Sequence, residues 1–142
     1  MNLRLIEQLR RDEGEVLHAY ADHLGWTTIG VGRLIDGRKG GGITKEESAY
    51  LLDNDIKRID AELRSRLPWF WKLDETRQAA LVAMAFQLGP AGLMGFPRML
   101  ACVRDGRYAE AETHALASKW AREQTPARAR RVARQIASGE FQ

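Results

Sequence analysis

The chain has 142 residues, 44% of them hydrophobic and 29% charged, a balance that suits one compact domain with its own core and excludes a disordered or low-complexity chain. A single cysteine, Cys102, excludes an internal disulfide and a cysteine-built metal cage, and is expected to be a small buried residue near a helix end. The 22 Lys and Arg against 19 Asp and Glu leave a net charge of +3, with the excess in the second half, in Lys119, Arg122, Arg128, Arg130, Arg131 and Arg134.

The opening segment spaces Leu3, Ile6 and Leu9 on one helical face and meets a stop at Gly14, which places Glu13 at or just beyond a helix end. Val16–Asp22 and Trp26–Gly32 are rich in aromatic and β-branched residues and are separated by His23-Leu-Gly25, so they read as a β-hairpin. The glycines Gly30, Gly32, Gly37, Gly40, Gly41 and Gly42 mark a tight, irregular stretch with a third short strand. Thr44-Lys-Glu-Glu47 has the capping-box form, in which a threonine and a glutamate each satisfy a free backbone N–H of the other. A long helix is expected from there through Leu52, Ile56, Ile59, Leu63 and Leu67 to Pro68, long enough to join two lobes.

After Pro68 the chain reads as helical to its end. Asp74 caps a very apolar helix carrying Ala79, Ala80, Leu81, Ala83, Met84 and Phe86, expected to be central. Shorter helices follow, punctuated by Gly89-Pro-Ala-Gly92, Phe96-Pro97, Asp105-Gly106 and Thr125-Pro126, the last a proline in the first helical position behind a threonine cap, and Gly139 closes the final helix. The fold class is therefore α+β, with unequal lobes in one domain spanning 1–142: a small β lobe at about 14–43, a linking helix at about 44–67, and a helical lobe at about 68–142 together with the N-terminal helix. The longest apolar stretch, Ala79 to Phe86, is far shorter than the roughly 18 residues that span a bilayer. The first residues mix Arg and Glu where a secretory signal would have a basic start and an apolar run, so neither a membrane helix nor a signal peptide is expected.

By themselves Glu13 and Asp22 are two of 19 acidic residues, and solvated surface charge is the simplest account of both. Their positions argue otherwise: a helix end, a hairpin turn and, with Thr28, a return strand bring three polar groups toward one cleft. Glycoside hydrolysis needs one protonated carboxyl for the leaving oxygen and a second group that attacks or positions water. An apolar wall favours the neutral form of a carboxyl, whereas water and backbone N–H groups in a turn favour the ionised form. The hydroxyl of Thr28 would then hold a water beside Asp22.

These residues lie in a recognisable pattern. Arg11-Asp-Glu-Gly14, then Tyr20-Ala-Asp22, then Thr28-Ile-Gly-Val-Gly-Arg33 resemble the active-site segment of the phage-type lysozymes, glycoside hydrolase family 24, in which glutamate, aspartate and threonine are separated by eight and five residues, as they are here. The likeness, to the T-even phage type in particular, continues in Ile43–Glu47, Phe86–Gly89, Gly95-Phe96, Ser118–Trp120 and Gln124–Arg128. The resemblance implies a lysozyme-like fold and an endolysin that cleaves the β-1,4 bond between N-acetylmuramic acid and N-acetylglucosamine of peptidoglycan, with inversion and with no metal or other cofactor. It implies Glu13 as general acid, Asp22 and Thr28 as the pair that orients water, Leu34, Phe86, Met99 and His114 along the saccharide cleft, and Arg128 near Glu13. It also implies a monomer that binds peptidoglycan glycan strands and no nucleic acid, held in the host cytoplasm until a pore releases it. Three departures stand out: a shorter glycine-rich stretch, His114 in place of an asparagine, and Arg33 in place of a histidine, which keeps any ion pair made there charged to higher pH.

Other features have plainer accounts. His18, His23 and His114 have no paired ligand spacing and are expected to be solvated or at the core edge. Gly30-x-Gly32 lacks the third glycine and the strand-helix setting of a nucleotide loop, so it shapes backbone. Trp69, Phe70 and Trp71 could stack sugars but beside Pro68 are expected to anchor a turn. Arg128, Arg130, Arg131 and Arg134 are either a solvated face or an attraction to anionic wall polymer or outer-membrane lipid. Two other functions compete with hydrolysis: a lytic transglycosylase, which needs the glutamate but not Asp22 and Thr28, and a non-catalytic basic module that binds wall polymer or nucleic acid.

Overall fold

The computed structural model describes residues 3–35 and 41–142; Gly37 and Gly40 of the glycine-rich stretch lie outside the described residues. The architecture is α+β, mostly helical with one small antiparallel sheet, and the chain divides into two compact units, Met1–Tyr50 and Leu51–Gln142.

The first unit opens with α1 (Leu3–Glu13), whose Arg10 and Arg11 lie in the last turn, where cations complement the helix dipole. Gly14, at φ +76°, ends the helix by donating its N–H to the Arg10 carbonyl at 3.0 Å. The sheet follows in the order β1 (Val16–Ala21), β2 (Thr27–Gly30), β3 (Arg33–Leu34). Tyr20 stands opposite Thr28 and Ala21 opposite Thr27, while the register shifts between Val16 and Tyr20. Gly25, at φ +82°, closes the first turn against the Asp22 carbonyl at 2.9 Å.

The capping box forms as its residue types require: Thr44 N–H donates to Glu47 Oε2 at 2.8 Å, and Glu47 N–H donates to Thr44 Oγ1 at 3.1 Å. It starts α2 (Lys45–Arg66), whose outer face is laced by the pairs Lys57–Asp53, Arg64–Asp60 and Arg66–Glu62 at i,i+4 spacing. Of the apolar stripe expected on this helix, Ile59 and Leu63 are buried, and Leu67 just beyond it is buried too, whereas Leu52 and Ile56 remain exposed.

The second unit holds the core. A single 3₁₀ turn, Phe70–Lys72, leads in, and here one aromatic of three anchors the turn: Phe70 is completely buried, Trp69 packs partly against the core, and Trp71 is 63% exposed. Asp74 caps α3 (Glu75–Leu88) by accepting from Arg77 N–H at 3.0 Å, and Ala80, Leu81, Met84 and Ala85 of that helix are buried. Then come α4 (Pro90–Leu93), α5 (Pro97–Arg104), α6 (Tyr108–Leu116), a π-helical turn at Trp120–Gln124, and α7 (Pro126–Ser138). Cys102 is buried on α5.

The small residues Ala111, Ala115, Ala129 and Ala133 are all fully buried, letting α6 and α7 approach closely around Ile136 and Val132. Arg77 ties the end of α7 to α3: Nε donates to the Ile136 carbonyl at 2.7 Å and Nη2 to the Ala137 carbonyl at 3.1 Å, with the guanidinium 3.6 Å from the centre of the Tyr108 ring. Pro126 does occupy the first helical position of α7, but Thr125 makes no side-chain cap. Its hydroxyl accepts from Gln87 Nε2 at 3.2 Å instead, in a chain that continues from Gln87 Oε1 to Trp120 Nε1, also at 3.2 Å. Among the described residues no helix is long and apolar enough to cross a membrane.

Candidate active site

Three consecutive pieces of backbone in the first unit each present one polar side chain. Glu13 is the last residue of α1, Asp22 opens the turn after β1, and Thr28 lies inside β2. The turn explains the posture of Asp22, since Oδ1 accepts from Leu24 N–H at 2.9 Å and from Trp26 N–H at 2.8 Å, the local arrangement that aspartate favours over any apolar residue. Thr28 is 2% exposed and satisfies its hydroxyl by donating to the Trp26 carbonyl at 3.0 Å. Trp26 therefore serves both partners, its N–H holding Asp22 and its carbonyl holding Thr28.

Glu13, Asp22 and Thr28 line one cavity of about 430 Å³, together with Asp12, Tyr20, Ala21, His23 and Gly32. Three carboxylates thus meet one imidazole, one phenol and one hydroxyl, and among the described residues no lysine or arginine lines the space. Such side chains can give and take protons. Asp12, Tyr20 and His23 were not singled out by sequence. Tyr20 was accessible to it, because alternation along a strand puts it on the face that Asp22 continues. Asp12 and His23 carry no signal beyond adjacency to Glu13 and Asp22.

The residues that the resemblance implies along a saccharide cleft are divided between the two units. Leu34 stands opposite Thr28 in the ladder between β2 and β3 but is not among the residues that line the cavity. In the second unit, Met99 and His114 border a second cavity of about 320 Å³ with Phe96, Pro97, Arg98 and Ser118, although Met99 itself is 1% exposed and belongs to the core. Phe86 borders a third, of about 330 Å³, with Leu52, Ile56, Val82 and Arg128. There Arg128 Nη2 donates to the Ala83 carbonyl at 3.2 Å. Among the described residues no cluster of three or more His, Cys, Asp or Glu is placed to hold a metal ion.

Comparison with known proteins identifies the family. The family model described as phage lysozyme matches residues 10–135. The chain is 32% identical over 166 aligned residues to the pre-baseplate central spike protein Gp5 of Enterobacteria phage T4, an alignment covering 99% of this chain but 29% of the spike protein. It is 30% identical over 159 residues to probable T4-type lysozyme 1 of Dictyostelium discoideum, covering 94% of this chain and 93% of that protein, and 36% identical over 97 residues to the endolysin of Salmonella phage P22, covering 63% and 64%. The chain thus spans less than a third of the spike protein but nearly the whole of the Dictyostelium protein. A family match across most of the chain makes this chain a member of the phage lysozyme family, a glycoside hydrolase of the lysozyme type.

Proposed function

We propose that this lysozyme hydrolyses peptidoglycan at the β-1,4 bond between N-acetylmuramic acid and N-acetylglucosamine, with inversion at the anomeric carbon. The observation that carries the reading is the convergence of Glu13, Asp22 and Thr28 on one cavity. Glu13 protonates the departing glycosidic oxygen. Thr28 has its own hydrogen committed to the Trp26 carbonyl, so toward a water it can only accept. A water that donates one hydrogen to Thr28 and the other to the Asp22 carboxylate is left with a lone pair aimed at the anomeric carbon. The C–O bond to that water forms as the glycosidic C–O bond breaks. Asp22 takes the proton that the water gives up, and exchange with solvent resets both carboxyls. Leu34, Phe86 and His114 contribute apolar and polar contacts to the saccharide, Met99 supports them from within the core, and no cofactor takes part.

In biological terms the reading is an endolysin acting as a monomeric single domain on glycan strands, released from the host cytoplasm through a pore that it does not itself form. Arg130 and Arg131 are exposed on α7 without an ion pair among the described residues, and Arg134 lies 3.7 Å from Glu112. This face adds a general attraction to the anionic wall surface.

The test is Glu13→Gln, assayed by release of reducing ends from purified peptidoglycan, with circular dichroism to show retained folding. Removing the proton donor should lower the rate at least about 100-fold. Full activity would remove Glu13 from the chemistry, whereas no release of reducing ends even by the unaltered protein would leave a binding module. Products that carry an anhydro ring would identify a transglycosylase, and the anomer released first, read by NMR, decides between inversion and retention.

A further inference from the structure

Gly32 lines the cavity with Glu13, and the contact between them is closer than any side chain permits. A Cβ built on Gly32 would lie 2.8 Å from Glu13 Oε2, 3.2 Å from Cδ and 3.3 Å from Cβ. The carboxyl of Glu13 therefore rests against bare backbone at the turn between β2 and β3. Gly32 also has φ +64°, which by itself favours glycine. The neighbouring Gly30 separates these two causes, because it has nearly the same φ, +67°, yet a Cβ there would meet nothing within 4 Å.

We propose that Gly32 is a positioning residue for the reaction: its missing side chain is the seat that sets where the Glu13 carboxyl stands in the cavity. The inference rests on the reading of Glu13 as the acid. The carboxyl is the movable end of a flexible side chain. A methyl group at 32 therefore displaces it sooner than it breaks the fold. To restore ordinary contact, at 3.4 Å or more, the carboxyl must retreat by roughly 0.6 Å or swing away, and misplacement on the order of 1 Å at a reacting centre costs about 100-fold in rate. The harm falls on the chemical step, not on substrate affinity.

The experiment compares Gly30→Ala, Gly32→Ala, Glu13→Asp and the double variant Glu13→Asp/Gly32→Ala, measuring kcat and KM on soluble glycan strands together with thermal midpoints. Both glycine variants should lose similar stability, since both force alanine into the left-handed region. Gly32→Ala should lower kcat by about 30- to 100-fold with KM within about twofold, and Gly30→Ala should keep kcat within about threefold. In the Glu13→Asp background, where the carboxyl is one bond shorter, adding Gly32→Ala should cost less than about threefold.

Equal losses of kcat in the two glycine variants would overturn the proposal, as would a Gly32→Ala penalty undiminished beside Glu13→Asp. Failure of Gly32→Ala to fold where Gly30→Ala folds would also overturn it, because the collision would then be with the fold and not with a movable carboxyl. Glu13→Gln, run alongside, keeps the two ideas apart. If it is inactive while the glycines behave alike, the seat falls and the acid assignment stands. If it is fully active while the glycines still differ, the loss in Gly32→Ala does not run through the Glu13 carboxyl, and the seat falls together with the role given to Glu13.

Discussion

Arg33 Nη2 donates to Glu47 Oε2 at 2.8 Å, and that same oxygen accepts the Thr44 N–H at 2.8 Å. One carboxylate therefore caps α2 and holds the first residue of β3. The guanidinium does a second job, donating from Nε and Nη2 to the Gly42 carbonyl at 3.1 and 2.9 Å, while Gly42 N–H donates to the Leu34 carbonyl at 3.1 Å. The two ends of the glycine-rich segment are thus clamped together by Arg33.

Both side chains are about half exposed, so the ion pair alone contributes about 0–1 kcal/mol, and the cap contributes about 1 kcal/mol. Glu47→Ala removes both and should destabilise by about 1–2 kcal/mol in urea unfolding, whereas Glu47→Gln keeps a neutral acceptor for Thr44 and should lose less than about 1 kcal/mol. Equal losses in the two variants would show that the charge, not the cap, carries the effect.

Thr28→Val preserves the shape of a side chain that is almost wholly buried and removes only its hydroxyl. The lost hydrogen bond to the Trp26 carbonyl should cost about 1 kcal/mol of stability. If the hydroxyl also orders the attacking water, kcat on soluble glycan should fall at least about 10-fold with KM unchanged. An unchanged kcat would confine Thr28 to a structural role.

Asp74 offers a pH test in the second unit. Burial pushes its carboxyl toward the neutral form, but the hydrogen bonds and charge of Arg77 outweigh this and hold it below the usual carboxylate value of 3.8. A lowered value in the folded state means that ionised Asp74 contributes stability above the unfolded value, and that this is lost as pH falls through the folded value. Asp74→Asn keeps an N-cap acceptor and removes the charge. It should be less stable than the unaltered protein at pH 7, with the gap closing below about pH 4. Urea midpoints from pH 7 to pH 2.5 measure this; a gap independent of pH would exclude the charge as the cause.

Replacing Arg130, Arg131 and Arg134 together by Ser should weaken co-sedimentation with purified cell walls at low salt and flatten its salt dependence, with kcat on soluble glycan unchanged. Unaltered sedimentation at every salt concentration would leave these residues as an ordinary solvated face.

Where residues a few positions apart decide the outcome, the sequence is a sufficient guide. The Thr44–Glu47 box, the stop at Gly14, the hairpin around His23 and Pro126 at the start of α7 all depend on backbone groups within one or two turns, and all form. Short connections between a helix end, a turn and a strand also leave Glu13, Asp22 and Thr28 little room to separate, but what marks them as a set is the resemblance to the phage-type lysozymes, not their spacing alone.

Partners remote in sequence are a different matter. Thr125 reads as a helix cap, but Gln87, 38 positions earlier, claims its hydroxyl. Three adjacent aromatics read alike, yet the core accepts Phe70 and leaves Trp71 in solvent. Leu52 and Ile56 continue the stripe of Ile59 and Leu63 without being covered. Local rules cannot settle such cases, since a side chain's burial depends on what the rest of the chain brings to it. The same holds at the cavity. That Glu13 is a candidate for the acid is legible in the motif around it, but that its carboxyl rests on Gly32, and that Arg33 beside it is clamped to Glu47, follows only once β2 and β3 have folded back past the end of α1.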